Sequence, residues 1–186
     1  LLLLSSSRVK QTDYLAHALT MIKTHLGDIS ELLFIPYAGV TINYDEYTLM
    51  VQNALTEIGI KVIGIHTLEN PIEAITQAQA IAVGGGNTFN LLHQLYQFDL
   101  IDVIRDHVNQ GKPYIGWSAG SNIAGASIRT TNDMPIVEPQ SFNALNLVPF
   151  QLNPHYTDHN PPGHNGETRA QRLAEFMVLN QEMPIV

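Results

Sequence analysis

Five short apolar runs, each separated from the next by a stretch of helical period, constrain this chain more than any other feature. They are Leu1 to Ser5, Leu32 to Ile35, Lys61 to Ile65, Ala80 to Val83 and Tyr114 to Trp117. Between the first two, Leu15, Ala18, Leu19, Ile22 and Leu26 fall three or four residues apart and so share one helix face, which Gly27 and Asp28 then end. Tyr47, Leu49, Met50, Ala54 and Leu55 mark a second helix ending near Gly59, Ile72 to Gln79 a third, and Leu91 to Tyr96 and Ile101 to Val108 two more. Strand and helix in alternation predict an α/β fold: a mainly parallel sheet with helices on both faces, since each parallel connection needs a crossover. Ligands of such sheets sit at the carboxyl ends of the strands.

The chain of 186 residues has no internal repeat or low-complexity tract, so residues 1–186 read as a single α/β domain. Leu1 to Leu4 carry neither a methionine nor a charged flank, and the run stops at Ser5, too short for a signal peptide or membrane span. It reads as a clipped first strand. Met183-Pro184-Ile185-Val186 reads as a strand that has only begun, and the natural chain is expected to continue past it with further strands.

Composition then narrows the chemistry. The sequence has no cysteine, which removes disulfides, thiolate metal sites and thiol nucleophiles. Asp and Glu outnumber Lys and Arg by 17 to 9, giving a formal net charge of -8. That balance repels phosphate backbones and anionic lipid, so neither nucleic acid nor a membrane is an expected partner.

Two strand ends are unusual. Gly116-Trp117-Ser118-Ala119-Gly120 follows an apolar run and precedes a small-residue stretch, placing G-x-S-x-G in the strand-turn-helix setting of a nucleophile elbow after a central strand. There Ser118 is the candidate nucleophile, and the N–H of Ala119 is half of an oxyanion hole. Gly84-Gly85-Gly86-Asn87-Thr88 follows another strand, and its glycines turn N–H groups toward an anion; Gly86 is the candidate second donor. A dinucleotide fingerprint would need glycine where Phe89 stands, and the Walker pattern is absent. No cofactor is implied.

Of eight histidines, His17, His25, His93 and His107 lie in predicted helices, and His66 ends the third strand. His155 is the best candidate base, because Pro154 holds the chain extended ahead of it at the close of a short strand, Phe150 to Asn153. Asp133 lies in a polar turn cluster ahead of another short strand, which gives the order Ser, Asp, His. His155, Asp158, His159 and His164 form an alternative metal cluster, but Pro161-Pro162-Gly163 opposes the helix that such spacing needs, and no metal is expected. Glu167 and Arg169 begin a last helix, with Leu173, Phe176 and Met177 on its inner face. A cation in a first turn is mildly unfavourable, so Arg169 points to an anionic ligand.

At these residues the sequence resembles the S51 serine peptidase family, whose members include α-aspartyl dipeptidases. The blocks that carry the likeness are Phe34 to Val40, Val83 to Phe89, Tyr114 to Gly120, Ile128 to Val137, Leu152 to Tyr156 and Gly163 to Arg169, in order over nearly the whole chain. The resemblance implies a class I glutamine amidotransferase-like fold with serine in place of the elbow cysteine. It implies a cytoplasmic bacterial exopeptidase that hydrolyses dipeptides with a free N-terminal aspartate. Carried over by motif, Ser118 is the nucleophile, His155 the base, Gly86 and Ala119 the oxyanion hole, and Asp133 an acidic position assigned as catalytic. A competing assignment puts the acid in a Leu-Pro-Glu-Gly turn beyond Val186. A free aspartyl residue offers one ammonium and one side-chain carboxylate. Arg169 is the candidate for the carboxylate, with Asn87 and Thr131 assisting, and Glu167 or Asp133 for the ammonium. Rival readings are a cyanophycinase-like enzyme with an open acidic cleft, an esterase-type α/β hydrolase, and a non-catalytic anion-binding module on the same fold. Oligomeric state is not legible in the sequence.

Overall fold

The computed structural model describes residues 1–163 and 165–186. The five apolar runs become strands β1 (Leu2–Leu4), β2 (Glu31–Ile35), β3 (Lys61–Gly64), β4 (Ile81–Val83) and β5 (Tyr114–Trp117). They form one parallel sheet in the order β1-β5-β4-β2-β3, with Leu4 opposite Trp117, Val83 opposite Gly116 and Ile35 opposite Val83. The helices are α1 (Leu19–Leu26), α2 (Tyr44–Thr56), α3 (Pro71–Gln77), α4 (Thr88–Gln97), α5 (Leu100–Asn109), α6 (Ala119–Asn122) and α7 (Arg169–Leu179).

Period-two alternation divides each strand between two cores. Leu33, Ile35, Ile81, Val83 and Tyr114 pack with α3, α4 and α5 on one face. Leu32, Phe34, Ala82, Ile115 and Trp117 pack with α1 and α2 on the other. The chain steps one way along the sheet from β1 through β2 to β3, then back through β4 to β5. Right-handed crossovers in opposite directions put their helices on opposite faces, so α2 and α4 leave neighbouring strands on different sides. The loops after β2 and β4 therefore part at the carboxyl edge, the place where open α/β sheets hold ligands. Asparagine side chains start the helices that matter here: Asn43 accepts from the Glu46 N–H at 2.8 Å, and Asn87 from the Asn90 N–H at 3.0 Å.

The first helix begins as a 3-10 turn at Ala16–Ala18, because Leu15 takes a left-handed conformation (φ 58°). Between α6 and α7 the chain forms no regular strand among the described residues. The expected strand at Phe150 to Asn153 reduces to a single parallel bridge, Gln151 to Ile185. Flanking hydrogen bonds run from Gln151 N to Pro184 O (2.7 Å) and from Asn153 N to Val186 O (3.1 Å); the prolines at 154 and 184 lack the N–H that a longer ladder requires. The turn after Asp133 likewise stays irregular, with Met134 and Ile136 facing solvent. On α7, Leu173 and Phe176 are half-buried but Met177 is exposed, so the inner face is narrower than its sequence period suggests.

His107 on α5 is buried and its Nδ1 lies 3.1 Å from the Ile75 carbonyl. Burial lowers its pKa from the usual 6.5, with Lys112 adding to the effect, because the charged imidazole loses its hydration. The unfolded chain therefore binds this proton more readily than the native one. Stability from His107 is complete above pH 6.5 and is lost as the pH falls through the lowered value. Denaturant midpoints measured through this window should drop with acidity, and His107→Gln should flatten the slope.

Candidate active site

Ser118 stands at the end of β5 with φ 52° and ψ -114°, a conformation that few non-glycine residues adopt. The two glycines of the G-x-S-x-G segment explain how it is held there. A Cβ on Gly120 would lie 2.1 Å from the Val83 carbonyl oxygen, and one on Gly116 would lie 2.4 Å from the Gly120 oxygen. Helix α6 thus crosses the ends of β4 and β5 with backbone against backbone. The Ser118 N–H donates to Leu4 O at 3.0 Å, which ties the turn to β1. Ala119 is the first residue of α6, where an N–H has no intrahelical acceptor.

His155 Nε2 lies 2.8 Å from Ser118 Oγ. In that geometry a neutral imidazole accepts the serine proton. The ring is positioned through its backbone, which has a left-handed φ of 60°. The His155 N–H donates to Ser5 Oγ at 2.8 Å, and Arg169 Nη1 donates to the His155 carbonyl at 2.9 Å. Asn132 Nδ2 donates to the preceding carbonyl of Pro154 at 3.0 Å. Below it, Asn153 Nδ2 donates to Thr130 O at 2.7 Å, and Asn122 Nδ2 to Leu152 O at 2.7 Å.

Asp133 joins the same locality by another route. Its Oδ2 accepts from the Thr88 N–H at 2.7 Å and from the Thr88 hydroxyl at 2.6 Å, at the start of α4. Among the described residues none of its hydrogen bonds goes to His155, although Asp133, His155 and Ser118 line one small recess. Thr131 borders that recess too, its hydroxyl donating to Thr88 Oγ1 at 3.1 Å. Gly86 lies across from Ala38 with φ 140°, and a Cβ there would meet the Ala38 oxygen at 2.2 Å, so only glycine passes this point. The Asn87 side chain donates to Met134 O at 2.8 Å and caps α4. Glu167 lies 3.7 Å from Arg172 Nε.

Away from this cluster, His66 pairs with Asp45 at 2.9 Å, and His25 contacts Tyr114 O at 3.2 Å. Asp158 accepts from the Tyr156 hydroxyl at 2.6 Å, and His164 of the alternative metal cluster lies outside the described residues. No group of three or more His, Asp or Glu side chains suited to a metal occurs among the described residues.

Ser5, Thr88 and Asn132 were not singled out by sequence reasoning. Each acts on a partner remote in the chain, which no local pattern reveals. Tyr47 belongs with them: its hydroxyl donates to the Gly85 carbonyl at 2.8 Å and fixes the peptide unit that carries the Gly86 N–H.

Comparison with known proteins places this geometry. The model of Peptidase family S51 matches residues 1–186. The peptidase E of Shewanella baltica strain OS155 is 60% identical over 185 residues, covering 100% of this chain and 78% of that protein. The peptidase E of Shewanella oneidensis strain MR-1 is 57% identical, with 78% of its length covered. Among solved structures, a candidate peptidase E protein from Listeria monocytogenes EGD-e superposes with a TM-score of 0.70 at 26% identity, over 99% of this chain and 88% of that one. A peptidase from an acI-B1 actinobacterium, at 17% identity and TM-score 0.63 over 83% of this chain and 67% of that one, shares the fold.

The elbow geometry predicts a contrast between glycines. Gly120→Ala forces a Cβ into the β4 backbone and should lower unfolding stability by about 1 to 3 kcal/mol or prevent folding, as overpacked sites do. Gly111→Ala, with open space around it and only a positive φ to resist it, should cost about 1 kcal/mol or less in the same denaturant titration.

Proposed function

The chain belongs to peptidase family S51, and on that premise we propose that it hydrolyses dipeptides bearing a free N-terminal aspartate, with Ser118 as nucleophile. The observation that carries the reading is the 2.8 Å contact between Ser118 Oγ and His155 Nε2 at the end of a central strand. Ser118 Oγ attacks the aspartyl carbonyl carbon while its proton passes to His155 Nε2. The oxyanion is met by the N–H groups of Ala119 and Gly86. Collapse breaks the C–N bond, and the imidazolium gives its proton to the departing amine. Water then adds to the Ser118 ester with His155 as base, releasing aspartate and restoring the hydroxyl.

Arg169 is assigned to the aspartyl carboxylate, because its position beside the His155 carbonyl brings a guanidinium to the rim of the site. Asn87 and Thr131 assist. Asp133 is assigned to the substrate ammonium in preference to orienting His155, since its hydrogen bonds run to Thr88 and its carboxylate borders the recess beside Ser118. Glu167 is the weaker choice for the ammonium because it faces Arg172. The substrate is a small peptide, and a cytoplasmic location is part of the same proposal, on the strength of the family resemblance. No described helix is long and apolar enough to cross a membrane.

A cyanophycinase-like substrate, rich in arginine, calls for acidic cleft walls, yet among the described residues no Asp or Glu lines the larger cleft beside Ser118. The close Ser118–His155 contact equally disfavours an idle serine in an anion-binding module.

Arg169→Met should reduce kcat/KM for Asp-Leu relative to Ala-Leu by the equivalent of about 2 to 5 kcal/mol, as expected when one member of a charged pair is removed. Because Arg169 also holds the His155 backbone, the ratio between the two substrates is the readout. An unchanged ratio overturns the assignment. Ser118→Ala should abolish turnover of both.

A further inference from the structure

We infer that the apolar cleft beside Ser118 receives the side chain of the residue released by cleavage, and that it selects an uncharged, apolar one; this rests on the aspartyl dipeptidase reading above. The cleft holds about 430 Å³, within the range of small-ligand sites, and opens where the loops after β2 and β4 part. Ser118, His155 and Gly86 form its inner end. Its walls include Tyr14, Ile42, Tyr47, Met50 and Trp117, and among the described residues no Lys, Arg, Asp or Glu borders it.

The aromatic walls satisfy their polar atoms among themselves. Trp117 Nε1 donates to Tyr14 Oη at 2.9 Å, Tyr14 Oη donates to Tyr47 Oη at 3.2 Å, and Tyr47 Oη donates to Gly85 O at 2.8 Å. Burial pushes both phenols well above their ordinary pKa, so no charge develops in the wall near neutral pH. Ser7, Thr41 and Asn87 also border the cleft, and the rest of its wall away from Ser118 and His155 is mainly ring surface, aliphatic carbon and backbone. A charged side chain entering it would lose water and meet no opposite formal charge among the described lining residues.

The opposite flank of Ser118 has the contrary character. Thr88, Asn122, Thr131, Asn132 and Asp133 border a recess of about 20 Å³, room for a water-sized group such as an ammonium. A peptide carbonyl held at Ser118 has two substituents, the aspartyl carbon with its charges and the leaving nitrogen with its residue. Charge matching sends the ammonium of the first to the polar recess beside Asp133 and its carboxylate toward Arg169 at the rim. The second is left with the cleft.

The test compares kcat/KM for Asp-Leu, Asp-Phe, Asp-Gly, Asp-Lys and Asp-Glu, with Ala-Leu and Ala-Lys as a parallel series. The native protein should favour Asp-Leu and Asp-Phe over Asp-Lys and Asp-Glu by about tenfold or more, with Asp-Gly between them. Met50→Glu should shift the ratio of Asp-Lys to Asp-Leu upward by a similar factor and change Asp-Gly by less than about threefold. If that variant fails to fold, Ile42→Trp, which fills the cleft, should depress Asp-Leu and Asp-Phe while sparing Asp-Gly. Equal rates for Asp-Gly, Asp-Leu and Asp-Lys in the native protein, or variants that scale all substrates alike, overturn the inference. Equal cleavage of Ala-Xaa and Asp-Xaa would instead overturn the aspartyl reading, while the Leu-to-Lys ratio within either series still decides what the cleft accepts.

Discussion

Every feature around Ser118 depends on how closely α6 crosses the ends of β4 and β5. With the Gly120 Cα packed under the Val83 carbonyl and Gly116 under Gly120, no side chain separates helix from sheet. The chain must then reverse within one residue, and that residue takes the positive φ. Two results follow from the single constraint. The Ser118 hydroxyl meets His155 at the edge of the cleft, and the first N–H groups of α6, which have no intrahelical acceptor, begin at the very next residue, as the proposed oxyanion hole requires. The cost of the strained conformation is offset by two well-packed cores on either side of the same strands.

The proposed nucleophile and base are supplied by different kinds of structure. Ser118 rides on a buried parallel strand whose neighbours fix it to either side. His155 comes from a long irregular segment and owes its position to backbone hydrogen bonds with Ser5, Arg169 and, through Pro154, Asn132. Arg169 in this arrangement both holds the His155 backbone and is the group proposed to read the substrate carboxylate. On the other side of the serine, Asp133 is anchored to Thr88, the first residue of α4, and the rest of the polar recess is built from α6 and from the segments around 131–133 and 154–155, all downstream of β5. The two flanks of the site thus differ in charge because they descend from different strand ends.

The sheet was largely legible in the sequence. Tyr114 to Trp117 matches its strand to the residue, because apolar runs buried on both faces and closed by glycine have few alternative structures. Ser118 and His155 were singled out for local reasons, one from glycine spacing and one from the proline before it, and the fold brings their side chains to 2.8 Å. The strand expected at Phe150 to Asn153 was less secure, since its partner is a short proline-bearing segment that supports a single bridge. Ser5 and Thr88 left no local signal. Ser5 acts on a residue 150 positions away, and Thr88 on one 45 away, and only the folded chain joins them. The role of Asp133 is the instructive case: residue order offered it to His155, whereas its hydrogen bonds give it to Thr88.

The central claim is that Ser118 is a nucleophile activated by His155. Reaction with a fluorophosphonate probe, followed by peptide mapping, tests it without assuming any substrate. The account predicts a single modified site at Ser118, with labelling lost in His155→Ala although that variant remains folded. Absence of labelling in the native protein, modification at another serine, or labelling that survives loss of His155 would contradict it.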